Sequence, residues 1–161
     1  MFDNIEGKRI PEVTFRTRRD HEWVELTSKD IFEGKTVVVL SLPGAFTPTC
    51  SSAHVPRYNH LTPALKKNGV DEVICISVND AFVMDAWGKD RGVGDKVIML
   101  ADGNGEYARA LGLEMDGTAF GMGMRGQRFA IVVDDGVATH VGVEAPGQFE
   151  LSKAEAILGA L

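Results

Sequence analysis

The chain has 161 residues, 44% apolar and 25% charged, which suits one globular domain over residues 1–161 and excludes a disordered or fibrous chain. Its formal net charge of −6, from 17 basic and 23 acidic residues, argues against general binding of nucleic acid, which needs a basic surface. No apolar run approaches the roughly 20 residues of a membrane helix, and two cysteines are too few for a disulfide scaffold.

Met1 to Pro11 carries early charges and lacks the apolar core of a signal peptide. With cysteine so scarce, the cytoplasm is the expected setting, or an organelle reached through a targeting segment since removed. Val13 to Thr17 and Glu22 to Leu26 alternate weakly about the polar turn Arg18-Arg19-Asp20-His21 and predict an N-terminal β-hairpin. Ser28 is the expected cap of a short helical turn through Phe32 and Glu33, ended at Gly34. Thr36 to Leu42 (TVVVLSL) is a continuous run of apolar, mostly β-branched residues, the pattern of a strand buried on both faces.

Pro43 and Gly44 break that strand, Ala45 to Pro48 form a loop, and a helix is expected to begin near Thr49. Pro56 should kink that helix or end its first part, and Thr62-Pro63 should open another, closed by Asn68-Gly69. Glu72 to Val78 predicts a second buried strand, and Asp80 to Trp87 a helix capped by Asn79 or Asp80. Val97 to Leu100 predicts a short strand, and Glu106 to Leu111 a helix stopped by Gly112. Glu114 to Gln127, rich in glycine and methionine, reads as a long loop. Arg128 to Val133 and Val137 to Val143 predict a hairpin around Asp134-Asp135-Gly136, and Ser152 the cap of a last helix. Strands alternating with helices, then a hairpin and a helix, predict an α/β sandwich with a mixed central sheet flanked by helices.

Two patterns lack the context they need. Gly121 to Gly126 matches GxGxxG, but it precedes a strand where a dinucleotide site would open a helix, so it reads as a flexible loop. The histidines His21, His54, His60 and His140 show no zinc spacing among themselves. His54 lies four residues after Cys50 on the same helical face, and reads as a residue that tunes or shields the cysteine, or as a structural one.

Cys50 is expected in the first turn of a helix that directly follows a buried strand. The unpaired N–H groups there carry partial positive charge and favour the thiolate, which is the nucleophile. On position alone, the role of a small buried hydrophobe stays open. Cys75, by contrast, sits inside the apolar run Val73-Ile74-Cys75-Ile76, where a thiol should stay protonated and inert.

The segment from Pro43 to Cys50 (PGAFTPTC) resembles the peroxiredoxin signature Pro-x-x-x-Thr-x-x-Cys, filled by Pro43, Thr47 and Cys50. Its continuation to Tyr58, the block Val78 to Trp87 and the block Arg128 to Gly136 resemble the Prx5-type, or type II, branch. The blocks follow the family order, and the likeness runs from about Lys8 to the C-terminus.

The resemblance implies a thioredoxin-like fold and a thiol peroxidase for hydrogen peroxide and organic hydroperoxides, with Cys50 as the peroxidatic cysteine. Thr47 would aim its hydroxyl at the thiolate or the peroxide, Pro43 would shield the sulfur, and Arg128 would lower the thiol pKa and orient the peroxide. The amides of Thr49 and Cys50 would steady the leaving oxygen. The chemistry needs no metal, flavin or haem.

The resemblance also implies a homodimer built on loops near Phe46, Phe82 and Phe120, residues that otherwise read as core or as an apolar rim. Some relatives carry a resolving cysteine in the stretch matching Gly147 to Ser152, which here has none. An external thiol is therefore expected to recycle Cys50: glutathione with a separate glutaredoxin, or thioredoxin. Of two other readings, a disulfide reductase lacks its Cys-x-x-Cys because residue 53 is Ala. A redox sensor also needs a reactive cysteine but does not need Pro43, Thr47 and Arg128 to orient a peroxide.

Overall fold

A computed structural model describes residues 5–48 and 53–161. Strand β1 (Thr14–Arg19) pairs antiparallel with β2 (Glu22–Thr27) as the N-terminal hairpin. Both strands run further than their alternation suggests. Asp20 and His21 adopt φ of 50° and 68° and reverse the chain in two residues, so Arg18 and Arg19 stay in the ladder opposite Trp23 and Glu22.

Helix α1 (Ser28–Phe32) is capped by Thr27, one residue before the expected Ser28. The Thr27 hydroxyl accepts from the Asp30 amide at 3.2 Å, and the Asp30 carboxylate accepts from the Thr27 amide at 2.9 Å. Ser28 is drawn to the preceding segment, where its hydroxyl accepts from the Val13 amide and donates to the Pro11 carbonyl, each at 2.9 Å.

Strand β3 (Thr36–Ser41) leads toward residues 49–52, which lie outside the described residues together with the expected helix start near Thr49. Helix α2 (Val55–Lys67) follows. The predicted break at Thr62-Pro63 is absent, and Pro56 stands in the first turn of α2, where a missing N–H costs nothing. Pro63 removes one hydrogen bond inside α2. Burial of Val55, Tyr58, Thr62 and Leu65 along one stripe outweighs that loss, and Thr62 keeps the turn closed by donating to the Tyr58 carbonyl at 2.7 Å.

Strand β4 (Glu72–Ser77) precedes α3 (Ala81–Arg91), whose N-cap Asp80 accepts from the Val83 amide at 2.9 Å. Then come β5 (Ile98–Ala101) and α4 (Glu106–Ala110). The expected long loop contains a small antiparallel pair, β6 (Glu114–Asp116) and β7 (Met124–Gly126), around a 3-10 turn at Thr118–Phe120. The element that follows Gly126 is a strand, not a helix, so the GxGxxG stretch lacks the context of a dinucleotide site. Strands β8 (Phe129–Asp134) and β9 (Val137–Val143) form the predicted hairpin. Asp135 and Gly136 turn it with φ of 47° and 80°, a conformation that glycine takes without strain. Helix α5 (Ala154–Ala160) is capped at Lys153, not Ser152.

The central sheet has the order β5-β4-β3-β8-β9. Strands β3, β4 and β5 are parallel and β8 runs against β3, so the sheet is mixed. The continuous apolar runs are two half-cores read alternately. Val38, Leu40, Val73, Cys75 and Val132 join Tyr58 and Leu65 of α2, Trp87 of α3 and Ile157 of α5. Val37, Val39, Ile74, Ile131 and Val133 join Phe15, Phe32, Tyr107 and Leu111 on the opposite face. Each fully buried Leu or Ile contributes roughly 1.5–3 kcal/mol relative to exposure. Among the described residues, no helix is long and apolar enough to cross a membrane.

Candidate active site

The sheet fixes where the predicted site residues meet. Ser41, the last residue of β3, pairs with Phe129, the first of β8. The loop carrying Pro43 and Thr47 therefore leaves β3 beside Arg128. This is the carboxyl end of the parallel strands, where open α/β sheets build their sites. Cys50 itself lies outside the described residues, three positions after Thr47 and three before Ala53.

The loop after β3 is tied at several points. The Ser77 hydroxyl donates to the Leu42 carbonyl at 3.1 Å, and the Asn79 side-chain oxygen accepts from the Ala45 amide at 2.9 Å. The Thr47 hydroxyl donates to the Gly44 carbonyl at 2.7 Å, which leaves its lone pairs as acceptors. Phe46 takes φ of 65°, unusual for a large side chain, and leaves its ring about half exposed. Pro43 is half-buried on the same turn.

Ala53 and His54 form a π-helical turn ahead of α2, a local widening common at functional sites. His54 is fully buried. Its Nδ1 lies 2.8 Å from Nη1 of Arg128, and its Nε2 lies 3.1 Å from the Ser152 carbonyl. A guanidinium can only donate, so Nδ1 is the acceptor and the ring proton sits on Nε2, donated to Ser152. Burial, and then the adjacent Arg128 charge, push the His54 pKa down to about 3 against the opposing pull of Ser152 and Glu144. His54 is thus a neutral imidazole that turns Arg128.

Behind His54 stands a loop after β9. Phe149 sets its ring edge on His54, centroids 5.0 Å apart, and the Arg128 guanidinium carbon lies 5.8 Å from the centre of the same ring. The Tyr58 hydroxyl donates to the Ser152 carbonyl at 2.6 Å. The buried Glu144 carboxylate accepts from the amides of Glu150, Leu151 and Ser152 at 2.5, 2.8 and 3.3 Å, and from the Ser152 hydroxyl at 3.0 Å. Burial pushes that carboxyl up, but these bonds together hold it below the ordinary glutamate value. The loop lies close on β9: a Cβ on Gly142 would stand 2.5 Å from the Leu151 carbonyl oxygen.

A family profile described as Redoxin matches residues 5–158. The hybrid peroxiredoxin hyPrx5 of Haemophilus influenzae is 46% identical over 160 residues, covering 98% of this chain and 66% of that protein. A peroxiredoxin of Synechocystis is 45% identical, with 96% of this chain and 89% of that protein covered. Among solved structures, reduced Prx3 of Vibrio vulnificus in complex with hydrogen peroxide superposes with a TM-score of 0.92 at 47% identity, covering 96% of this chain and 97% of that one. The chain is a Prx5-type peroxiredoxin.

As a peroxiredoxin it is a thiol peroxidase with the thioredoxin-like fold that the resemblance implied, and its mixed central sheet is the one that the pattern of strands and helices predicted. The peroxiredoxin sequence brings Pro43 and Thr47 into one loop and sets Arg128 beside it. The partner of Arg128 was not legible. His54 was singled out only for its spacing to Cys50, and Glu144, Phe149 and Ser152 were not singled out as site residues at all. No local signal marked them, because Glu144 stands just past a β-strand and Ser152 reads as the cap of the last helix, a place that Lys153 takes. The three phenylalanines are not core residues, because Phe46, Phe82 and Phe120 are 52%, 59% and 82% exposed. Phe82 meets Trp23 edge-on at 5.6 Å, with Arg18 over both rings.

Proposed function

We propose that this peroxiredoxin reduces hydrogen peroxide and organic hydroperoxides through Cys50, as one domain without metal, flavin or haem. The observation that carries this reading is Arg128 at the carboxyl end of β3, held at 2.8 Å by a neutral histidine four residues after Cys50. A permanent cation there favours the Cys50 thiolate and turns a peroxide toward it. The thiolate attacks the terminal oxygen, the O–O bond breaks, and the departing alkoxide or hydroxide takes up a proton. Cys50 is left as a sulfenic acid. Thr47, its proton committed to Gly44, accepts from the peroxide O–H, and Pro43 limits water at the sulfur. The hydrogen peroxide bound by the Vibrio vulnificus relative supports that substrate here.

Recycling falls to an external thiol, glutathione with a separate glutaredoxin, or thioredoxin. The thiol condenses with the sulfenic acid, releasing water, and a second thiol frees Cys50 from the mixed disulfide. Two observations support this. Cys75, the other cysteine, is buried in the middle of β4. A groove of about 590 Å³, lined by Ala53, Pro56, Arg57, Phe149 and Lys153, opens beside the turn that follows Cys50 and suits a small peptide thiol. Exposed Phe46 and Phe120 favour a homodimer, and the cytoplasm is the proposed setting.

The test is one equivalent of peroxide followed by mass mapping, with and without glutathione. A sulfenic acid on Cys50 is expected without it, and a mixed disulfide on Cys50 with it. Catalytic peroxide loss in excess thiol should vanish in Cys50→Ser and persist in Cys75→Ser. The reverse pattern, or a stoichiometric Cys50–Cys75 bridge, would refute the reading, and merely stoichiometric consumption would make the chain a sensor.

A further inference from the structure

The strongest polar cluster outside the reacting loop is the Glu144 carboxylate with the backbone it gathers. Arg128 directly precedes β8 and Glu144 directly follows β9, and the hairpin register places them side by side. The Glu144 amide donates to the Arg128 carbonyl at 3.0 Å. The Glu144 side chain collects four donors from residues 150–152. Three of these donors, the Glu150 and Ser152 amides and the Ser152 hydroxyl, converge on Oε2, and the Leu151 amide meets Oε1.

That gathering has two effects on the arginine. It seats the Ser152 carbonyl where it takes the Nε2 proton of His54 and the hydroxyl proton of Tyr58. It also brings Phe149 onto the His54 ring and beneath the Arg128 guanidinium. The first contact fixes the histidine tautomer, and the tautomer decides that Nδ1 presents a lone pair to Arg128. The second walls the guanidinium on its aromatic side.

We infer that Glu144 is a positioning residue for the peroxide step, acting through Ser152 and Phe149 on His54 and through His54 on Arg128. The inference rests on the reading of Cys50 and Arg128 as the peroxide centre. It assigns Glu144 no contact with peroxide and no proton transfer. The residue sets the direction of the cation that makes those contacts.

The decisive variant is Glu144→Gln, which removes the carboxylate charge and, with its amide oxygen in the place of Oε2, turns an N–H₂ toward the Leu151 N–H donor. Single-turnover oxidation of the reduced full chain by hydrogen peroxide should slow ~10- to 100-fold, the scale of a misplaced catalytic contact. Reduction of the oxidised enzyme by dithiothreitol, in which the Arg128 charge acts but no peroxide has to be oriented, should hold its rate. On an Arg128→Lys background the same change should cost less than about threefold, because the two act in series. Nitrogen NMR should find wild-type His54 as the Nε2–H tautomer and find the Nδ1 signal displaced in Glu144→Gln.

Wild-type oxidation by folded Glu144→Gln, or full additivity with Arg128→Lys, overturns the inference. So does a wild-type His54 that carries its proton on Nδ1 or titrates near its ordinary value of about 6.5. If Glu144→Gln does not fold, Glu144→Asp keeps the charge at shorter reach and should show the same kinetic split in smaller measure; a uniform loss in both half-reactions counts against positioning. If Arg128→Lys itself oxidises at the wild-type rate, the peroxide-centre reading fails. If Arg128→Lys is slow and Glu144→Gln is not, only the role of Glu144 fails.

Discussion

Two half-buried arginines flank the carboxyl end of β3, and they are held in different ways. Arg125, in β7, donates Nε to the Met122 carbonyl at 2.9 Å and Nη1 to the Val78 carbonyl at 3.2 Å. Its Nη1 stands 3.3 Å from where a Cβ on Gly44 would be, so it buttresses the loop from outside. Arg128, three residues later, spends Nη1 on the side chain of His54, a neutral acceptor on the segment that follows Cys50. Both carry the same charge at the same end of the sheet. One is fastened to backbone and closes a turn; the other is aimed by an imidazole whose tautomer is itself fixed. The contrast teaches that a cation's partner, more than its charge or neighbourhood, separates an arginine that braces a loop from the one proposed to orient the peroxide.

The same substitution at both positions breaks the comparison open. Arg128→Lys keeps the charge but loses the planar fork, and single-turnover oxidation by peroxide should fall on the order of 10- to 1000-fold. A wild-type rate in that variant would remove Arg128 from the site.

The next effect is on pH dependence. An unfolded histidine takes up a proton below about 6.5, whereas folded His54 stays neutral down to about 3. The unfolded state therefore binds more protons in that window, and stability falls as pH falls through it. Glutamine at 54 offers an acceptor and a donor but no proton to gain. Between pH 6.5 and 5, wild type should lose about 2 kcal/mol more unfolding free energy than His54→Gln, measured by urea titration. Parallel pH profiles would mean that His54 is not held neutral.

The smallest effect belongs to Arg125→Lys. It should lower the unfolding free energy by about 1 kcal/mol, the scale of a hydrogen bond to a carbonyl, and hold peroxide oxidation within about threefold. A rate loss matching that of Arg128→Lys would erase the distinction between the two arginines.

Sheet strands were legible because TVVVLSL and EVICISV can be satisfied only by burial on two faces, and the structure buries them so. Turn chemistry was legible at Asp135-Gly136 for the same local reason. Local rules failed where distant packing overruled them. Pro63 reads as a helix start, yet the stripe Val55, Tyr58, Thr62, Leu65 carries α2 through it. Ser28 and Ser152 read as caps, yet one is drawn to Val13 and the other to Glu144. The loop around Pro43 and Thr47 was readable because it is contiguous in sequence. The Arg128–His54 contact spans 74 residues, and the contact between His54 and Ser152 spans 98, so no window along the chain contains either.

Gly142 extends this to mutational tolerance. It sits on the edge strand β9 opposite Ala130, with the Leu151 carbonyl only 2.5 Å from the place of a missing Cβ. Even alanine must push the 150–152 backbone outward, and that backbone carries the carbonyl on which His54 depends. In a saturation library selected for survival under peroxide, position 142 should be nearly as unforgiving as the nucleophile. Intolerance there would map the seat of a loop rather than a reacting atom, and a reader of such a library who equated depletion with chemistry would misplace the active site by a whole strand.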